Sequence, residues 1–145
     1  MVKWEWYASS TVSAGTFNNF SLKLCHTNKT ALTTNFTGNY GGNTPVQVYY
    51  KSSEYIAATP NTWFGFLFTT GFDYNGKDNL IVEVEWSGDS GGYAYNYWSS
   101  ATARCTYNYN GGTPYLYNYL HYMRISTGYL GVTPTSLGRV KSLYH

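Results

Sequence analysis

The run Gly88-Asp89-Ser90-Gly91-Gly92 is the first place where residue types and spacing could do chemistry. It is the kind of loop in which a Ser-His-Asp triad places its nucleophile, and His26, then Asp73 or Asp78, then Ser90 follow in a known triad order. That mechanism needs the serine hydroxyl against an imidazole, a buried carboxylate behind the imidazole, and backbone donors for an oxyanion. Asp73 and Asp78 instead flank a turn, where carboxylates are solvated, and the chain after Ser90 is too short for a second barrel wall. The sequence therefore reads as a glycine-rich turn between a strand ending at Trp86 and one starting at Tyr93. Glu83 and Glu85 share one strand face and could flank a glycosidic bond, but glycosidase pairs generally come from different strands. Asp73 to Asn79 offers several oxygens, as calcium loops do, yet lacks a closing bidentate glutamate. His26, His121 and His145 are too dispersed for zinc, and His121 reads as a hydrogen-bonded structural residue. No catalytic residue, metal or cofactor is expected, and the chain reads as a non-enzyme.

The aromatic residues carry the stronger signal. Seventeen tyrosines fall among 145 residues, and they alternate, as in Tyr93-Ala94-Tyr95-Asn96-Tyr97-Trp98 and Tyr107-Asn108-Tyr109. Alternation puts like residues on one strand face. A domain this small cannot partner that many buried hydroxyls, so several tyrosines must line a surface. The expected contact surface comprises Tyr93, Tyr95, Tyr97, Trp98, Tyr107, Tyr109, Tyr115 and Tyr117. Tyr93, Tyr95 and Tyr97 would form one face of a strand, with Tyr107 and Tyr109 on a neighbour. Such a face could stack on sugars, pack against another subunit, or simply stabilise the sheet through cross-strand pairs.

Composition narrows the partners. Only 11% of residues are charged, and the net charge of +2 comes from nine scattered basic and seven acidic residues, so no nucleic-acid footprint emerges. No run of 18 apolar residues occurs, which excludes a transmembrane helix. Surface positions rich in Asn, Thr, Ser, Gly and Tyr point to an extracellular or cell-surface setting. Sequons at Asn19, Asn28 and Asn35 arise readily by chance in such a chain. Cys25 and Cys105, both in strand-like runs, either close one long-range disulfide or remain separately buried thiols, the latter slightly favoured. The first residues read as an amphipathic strand without a signal peptide's apolar core, which fits a processed chain or a piece of a longer one.

The elements that must position these residues are almost all strands. Val2, Trp4 and Trp6 alternate with Lys3, Glu5 and Tyr7; Phe20, Leu22 and Leu24 alternate with Ser21, Lys23 and Cys25. A polar stretch from Thr27 to Thr44 has Leu32 and Phe36 as anchors. Strands follow at Val46 to Tyr50 and at Trp63 to Phe68, the latter a nearly continuous aromatic run expected in the centre of a sheet. Asn75-Gly76 signals a hairpin. Leu80, Val82, Val84 and Trp86 then share a face, two tyrosine-rich strands lie near 93–98 and 103–109, and Tyr119 to Ile125 closes the set. About eight short strands separated by Gly, Asn and Pro turns indicate an all-β, two-sheet antiparallel β-sandwich of jelly-roll or Greek-key type over 1–126. In the tail, 127–145, Leu137, Val140 and Leu143 are spaced for a short helix capped by Ser136.

Several segments resemble a jelly-roll β-sandwich domain found in secreted and surface proteins of bacteria, near adhesin and fibronectin-like modules. They are Leu24-Cys25-His26-Thr27, Pro45-Val46-Gln47-Val48-Tyr49, Trp63-Phe64-Gly65-Phe66 and Phe72-Asp73-Tyr74-Asn75-Gly76-Lys77-Asp78-Asn79-Leu80-Ile81-Val82-Glu83-Val84. The last is similar to that family's Pro-Phe-x-Tyr-x-Gly-x-x-Asn-Leu signature, with Gly71 where proline is usual. The resemblance implies an extracellular accessory module and carries over no functional residue. The expected function is therefore structural or adhesive, with a self-assembling surface or filament subunit as one form of it and a carbohydrate-binding module as the alternative. Partners would be other copies, neighbouring surface proteins or a polysaccharide, with no membrane insertion. The strand carrying Val2, Trp4 and Trp6 could be exchanged into a neighbour's sheet edge.

Overall fold

The computed structural model describes residues 1–108 and 112–128, with backbone alone at 93–95. The chain is an all-β protein of antiparallel strands. The first four-stranded sheet has β1 (Lys3–Ser13) at its centre, between β10 (Met123–Ser126) and β4 (Trp63–Leu67), while β7 (Tyr93–Asn96) pairs with the second half of β1. The second has β2 (Gly15–Thr27) between β3 (Val46–Ile56) and β5 (Asn79–Glu85), and β6 (Gly88–Asp89) also pairs with β2. Strands β8 (Trp98–Tyr107) and β9 (Tyr115–His121) form a separate two-stranded ribbon. These strand orders establish antiparallel layers and do not by themselves spell out a jelly-roll winding.

Alternation builds the core as expected. Trp4, Trp6 and Phe66 come from the first sheet, and Phe20, Leu22, Leu24 and Val48 from the second. The two layers meet through Phe66, whose ring lies 4.9 Å from Phe20 and 5.0 Å from Tyr49. Leu80, Val82 and Val84 pack on this core from β5. The polar stretch after β2 contains one short helix, α1 (Phe36–Asn39), whose first turn is capped by the Asn35 side chain accepting from the Gly38 N–H.

Two expectations change. The Trp63 run is an edge strand among the described residues: there β4 pairs only with β1, and Leu67 points to solvent. Its aromatics bury one face against the core, and continuous hydrophobicity alone does not distinguish that from burial on both faces. Asn75-Gly76 forms a turn, with the Asn75 side chain accepting from the Lys77 and Asp78 N–H groups and Gly76 at φ +68. It is no hairpin, because β5 continues onto β2 rather than back onto β4. Val2, Trp4 and Trp6, the strand that could be exchanged into a neighbour, are held within the chain: β1 is paired on both sides, and Trp4 and Trp6 are core residues. Of the two alternatives for Cys25 and Cys105, the separate thiols hold: both are free, Cys25 buried in β2 and Cys105 half-buried in β8, on different sheets. The tail helix expected around Leu137 lies outside the described residues.

β1 is unusual in burying three consecutive residues, Trp4, Glu5 and Trp6. Since successive side chains face opposite ways, Glu5 points away from the core and must be covered and neutralised there. Arg124 on β10 donates from Nε at 2.7 Å and from a terminal nitrogen at 3.0 Å, and Lys3 donates at 2.7 Å. The guanidinium lies 4.5 Å above the Trp63 ring of β4, so one cluster spans β10, β1 and β4. Gly65, opposite Glu5, leaves room for it: a Cβ there would sit 1.9 Å from the Trp4 carbonyl oxygen and 2.7 Å from Glu5 Cγ.

Hydrogen bonds from Arg124, and secondarily Lys3, hold the Glu5 carboxyl down to about 2 against the opposing effect of burial. A depressed carboxyl stabilises the fold above its ordinary pKa, and that contribution fades as pH falls from about 4.5 towards about 2. Glu5→Gln is therefore expected to cost about 1–3 kcal/mol at neutral pH. In denaturant titrations across pH, the gap between wild type and variant should close through that acidic window. A gap that stays constant down to pH 2 would contradict the assignment. Gly65→Ala should destabilise by about 3 kcal/mol through forced separation of β1 and β4, read as a lowered melting temperature.

Candidate functional site: a tyrosine ribbon

The catalytic-looking residues resolve into structural roles. Ser90 sits where the chain passes from one sheet to the other: its Oγ accepts from the Thr16 N–H at 2.9 Å, and its own N–H donates to the Thr16 carbonyl at 3.0 Å. Gly15 and Gly92 cross so closely there that a Cβ on either would lie 2.3 Å from the other's Cα, which explains the glycines beside Ser90. His26 pairs with Leu80 while Phe17, nine residues back on the same strand, pairs with Asp89. At strand rise, that puts His26 about 30 Å from the serine loop. Its Nε2 accepts from the Asn75 N–H, and its ring stacks on Tyr74.

Glu83 and Glu85 share a face of β5, and both hold Lys23, at 3.0 and 2.5 Å. Glu83 also accepts from the Tyr40 hydroxyl, whose phenol is pushed up by burial first and by Glu83 second. In the Asp73–Asn79 loop, Asp78 is tied up by the Asn75 amide, and its carbonyl by Tyr74. No group of three or more His, Cys, Asp or Glu could hold a metal among the described residues. A cleft of about 580 Å³ between β3 and β4 is lined by Lys3, Lys51 and Glu54. Its charges are spent on one another or on Glu5.

The tyrosines divide differently from the expected pattern. β7, carrying Tyr93 and Tyr95, pairs with β1 and not with β8, so these residues do not share a sheet with Tyr107. Their side chains, and Tyr109, lie outside what the structure describes. Tyr97 belongs to the base of the ribbon: its N–H donates to the Tyr7 carbonyl, and its carbonyl accepts from the Tyr122 N–H at 2.7 Å. The rings of Tyr7, Tyr97 and Tyr122 follow in contact, at 5.5 and 6.4 Å. The ribbon is thus an excursion between β7 and β10, clasped at its root by Tyr7.

Trp98, Tyr107, Tyr115 and Tyr117 do come together. On β9, Tyr115, Tyr117, Tyr119 and His121 share one face, opposite Tyr107, Cys105, Ser100 and Trp98 on β8. The rings run as a continuous row, Tyr115–Tyr107–Tyr117–Tyr119–Trp98, with centroids 5.5, 5.4, 5.0 and 5.2 Å apart. Tyr119 and His121 were missed as members, although their i, i+2 spacing from Tyr117 is plain in the sequence. The opposite face shows Leu116 and Leu120 to solvent. An irregularity between Ser100 and Cys105 contains Ala103, buried at φ +48. Its N–H is taken by the Asn118 side chain, and its carbonyl by the Leu32 N–H, which ties the ribbon to the loop after β2.

The ribbon's electrostatics are those of a neutral surface. Burial, with Cys105 and Tyr117 alongside, pushes the Tyr119 phenol up to about 12. Burial raises the Cys105 thiol, opposed by the Tyr119 hydroxyl, and lowers His121, whose buried Nδ1 has no hydrogen-bond partner among the described residues. At neutral pH the thiol keeps its proton and the imidazole is uncharged, so neither a thiolate nucleophile nor an imidazolium acid is present. What the row offers is aromatic surface and phenol hydroxyls on a ribbon that, among the described residues, has two strands. No protein-family model, curated protein or solved structure matches the chain.

Ser90→Ala is expected to lower stability by about 1 kcal/mol, through loss of the bond from Thr16. A melting curve checks this, and any Ser90-dependent ester hydrolysis would contradict the structural role.

Proposed function

We propose that the protein is a non-catalytic structural or adhesive module, acting at a cell surface, that contacts other protein through the β8–β9 ribbon. One observation carries the reading: the ribbon stands outside both four-stranded sheets with aromatic rings on one face and bare leucines on the other. A two-stranded ribbon is marginal by itself in water, so this much apolar surface is best stabilised by a partner. Between 98–107 and 115–121 only Arg104 is charged, which disfavours recognition by charge and favours an uncharged protein surface such as another copy. The polar, charge-poor composition and the resemblance at Phe72–Val84 support an extracellular setting.

The polysaccharide reading is weaker on geometry. Tyr107 stacks on Tyr115 and Tyr117 at interplanar angles of 24° and 16°, so these rings spend their faces on each other. Sugar stacking needs those faces free. In light scattering over a concentration series, wild type is expected to associate, and Leu116→Ser with Leu120→Ser to weaken association while leaving the melting temperature of the sandwich within a few degrees. A wild type that stays monomeric at high concentration, yet is retained on a polysaccharide matrix in a Tyr115-dependent way, would replace this reading with the carbohydrate one.

A further inference from the structure

We propose that Tyr107 and Tyr117 are a site of oxidative cross-linking, forming an intramolecular dityrosine that staples β8 to β9. Dityrosine joins two phenols at the ring carbons next to their hydroxyls. Coupling therefore needs the hydroxyl-bearing edges of the two rings side by side, an arrangement the two strands here already hold. Tyr107 and Tyr117 are nearly parallel, at 16°, with centroids 5.4 Å and hydroxyl oxygens 3.4 Å apart. They lie diagonally across the ribbon, since Tyr107 pairs with Tyr115 and Cys105 with Tyr117. Tyr107 is exposed, so an external oxidant reaches it.

The co-reactant is hydrogen peroxide acting through a haem peroxidase. Each phenol gives up one electron and its hydroxyl proton, leaving two neutral tyrosyl radicals, and the peroxide is reduced to two waters. The radicals combine through one carbon–carbon bond; the two displaced ring hydrogens move to the phenol oxygens and restore both aromatic rings. The net change is loss of two hydrogen atoms from the protein. The row supports the second oxidation: Tyr115, Tyr119 and Trp98 continue it at ring spacings of 5.0–5.5 Å, so a radical formed at any of them can pass to the stacked pair. Tyr55, though more exposed, lies on β3, away from the ribbon. The proposal concerns single molecules and does not rest on the ribbon's role in assembly.

The test treats dilute full-length protein with a haem peroxidase and hydrogen peroxide, then follows dityrosine fluorescence and the mass of the tryptic peptide 105–124, which contains both tyrosines. The expected result is a monomer whose peptide has lost two hydrogens, with fragmentation placing the link between Tyr107 and Tyr117. Tyr107→Phe and, separately, Tyr117→Phe keep the ring packing and should each lose that product, whereas Tyr55→Phe should retain it. Three outcomes would overturn the proposal: a link persisting in both Phe variants, dityrosine found only between molecules, or oxidation ending at Cys105 with the tyrosines intact.

Discussion

The charge on Glu5 is the constraint around which the first sheet is arranged. Trp4 and Trp6 must enter the core, so the residue between them is forced onto the opposite face, and that residue is an acid. Burying it unpaired would cost several kcal/mol. Both neighbouring strands answer that demand: β10 supplies Arg124, and β4 supplies Trp63 beneath the guanidinium and Gly65, whose missing side chain leaves room for Glu5. The order β10-β1-β4 is thereby coupled to one carboxylate. A slip of β1 by one residue would expose both tryptophans and bring Glu5 into the core.

The second sheet has a matching but softer arrangement. Lys23 of β2 sits between Glu83 and Glu85 of β5, on the face away from the core. Glu85 is more than half exposed, so solvent screens it, while Glu83 is largely covered and takes the Tyr40 hydroxyl as well. The two clusters do similar work at different depths. Of the two, the one around Glu5 combines a buried acid with a two-point arginine contact, and there the carboxyl drops to about 2.

Local patterning made much of this legible. The alternation of Trp4 with Trp6, and of Phe20 with Leu22 and Leu24, identified β1, β2 and the core, because period-two burial is written residue by residue. Pairing was harder to read. Nothing in Trp63 to Phe68 tells whether one or both of its edges will be bonded, and Asn75-Gly76 specifies a tight turn without specifying which strand the chain joins next. The same limit applies to the tyrosines. Their alternation announced exposed faces correctly, yet strands β7 and β8, adjacent in sequence, separate at Tyr97 because Tyr7 takes both the Tyr97 N–H and the Tyr122 carbonyl. That clasp joins residues more than a hundred positions apart, and no local signal encodes it.

Clasped at Tyr7 and tied to the body at Ala103, the ribbon depends on its own rings for rigidity. Cross-strand aromatic contacts contribute roughly 0.2–1 kcal/mol each, so the three that cross the ribbon can help hold a two-stranded element that backbone bonds alone would leave marginal. The same stacking has a chemical consequence. Rings held 5 to 5.5 Å apart form both a stiff surface and a path along which an oxidised tyrosine finds its neighbour. A leucine ladder could have supplied the stiffness alone. Tyrosine adds hydroxyls that keep the exposed row wetted and, at Tyr107 and Tyr117, places two phenols where a covalent bond would reinforce the contact that already holds the strands together.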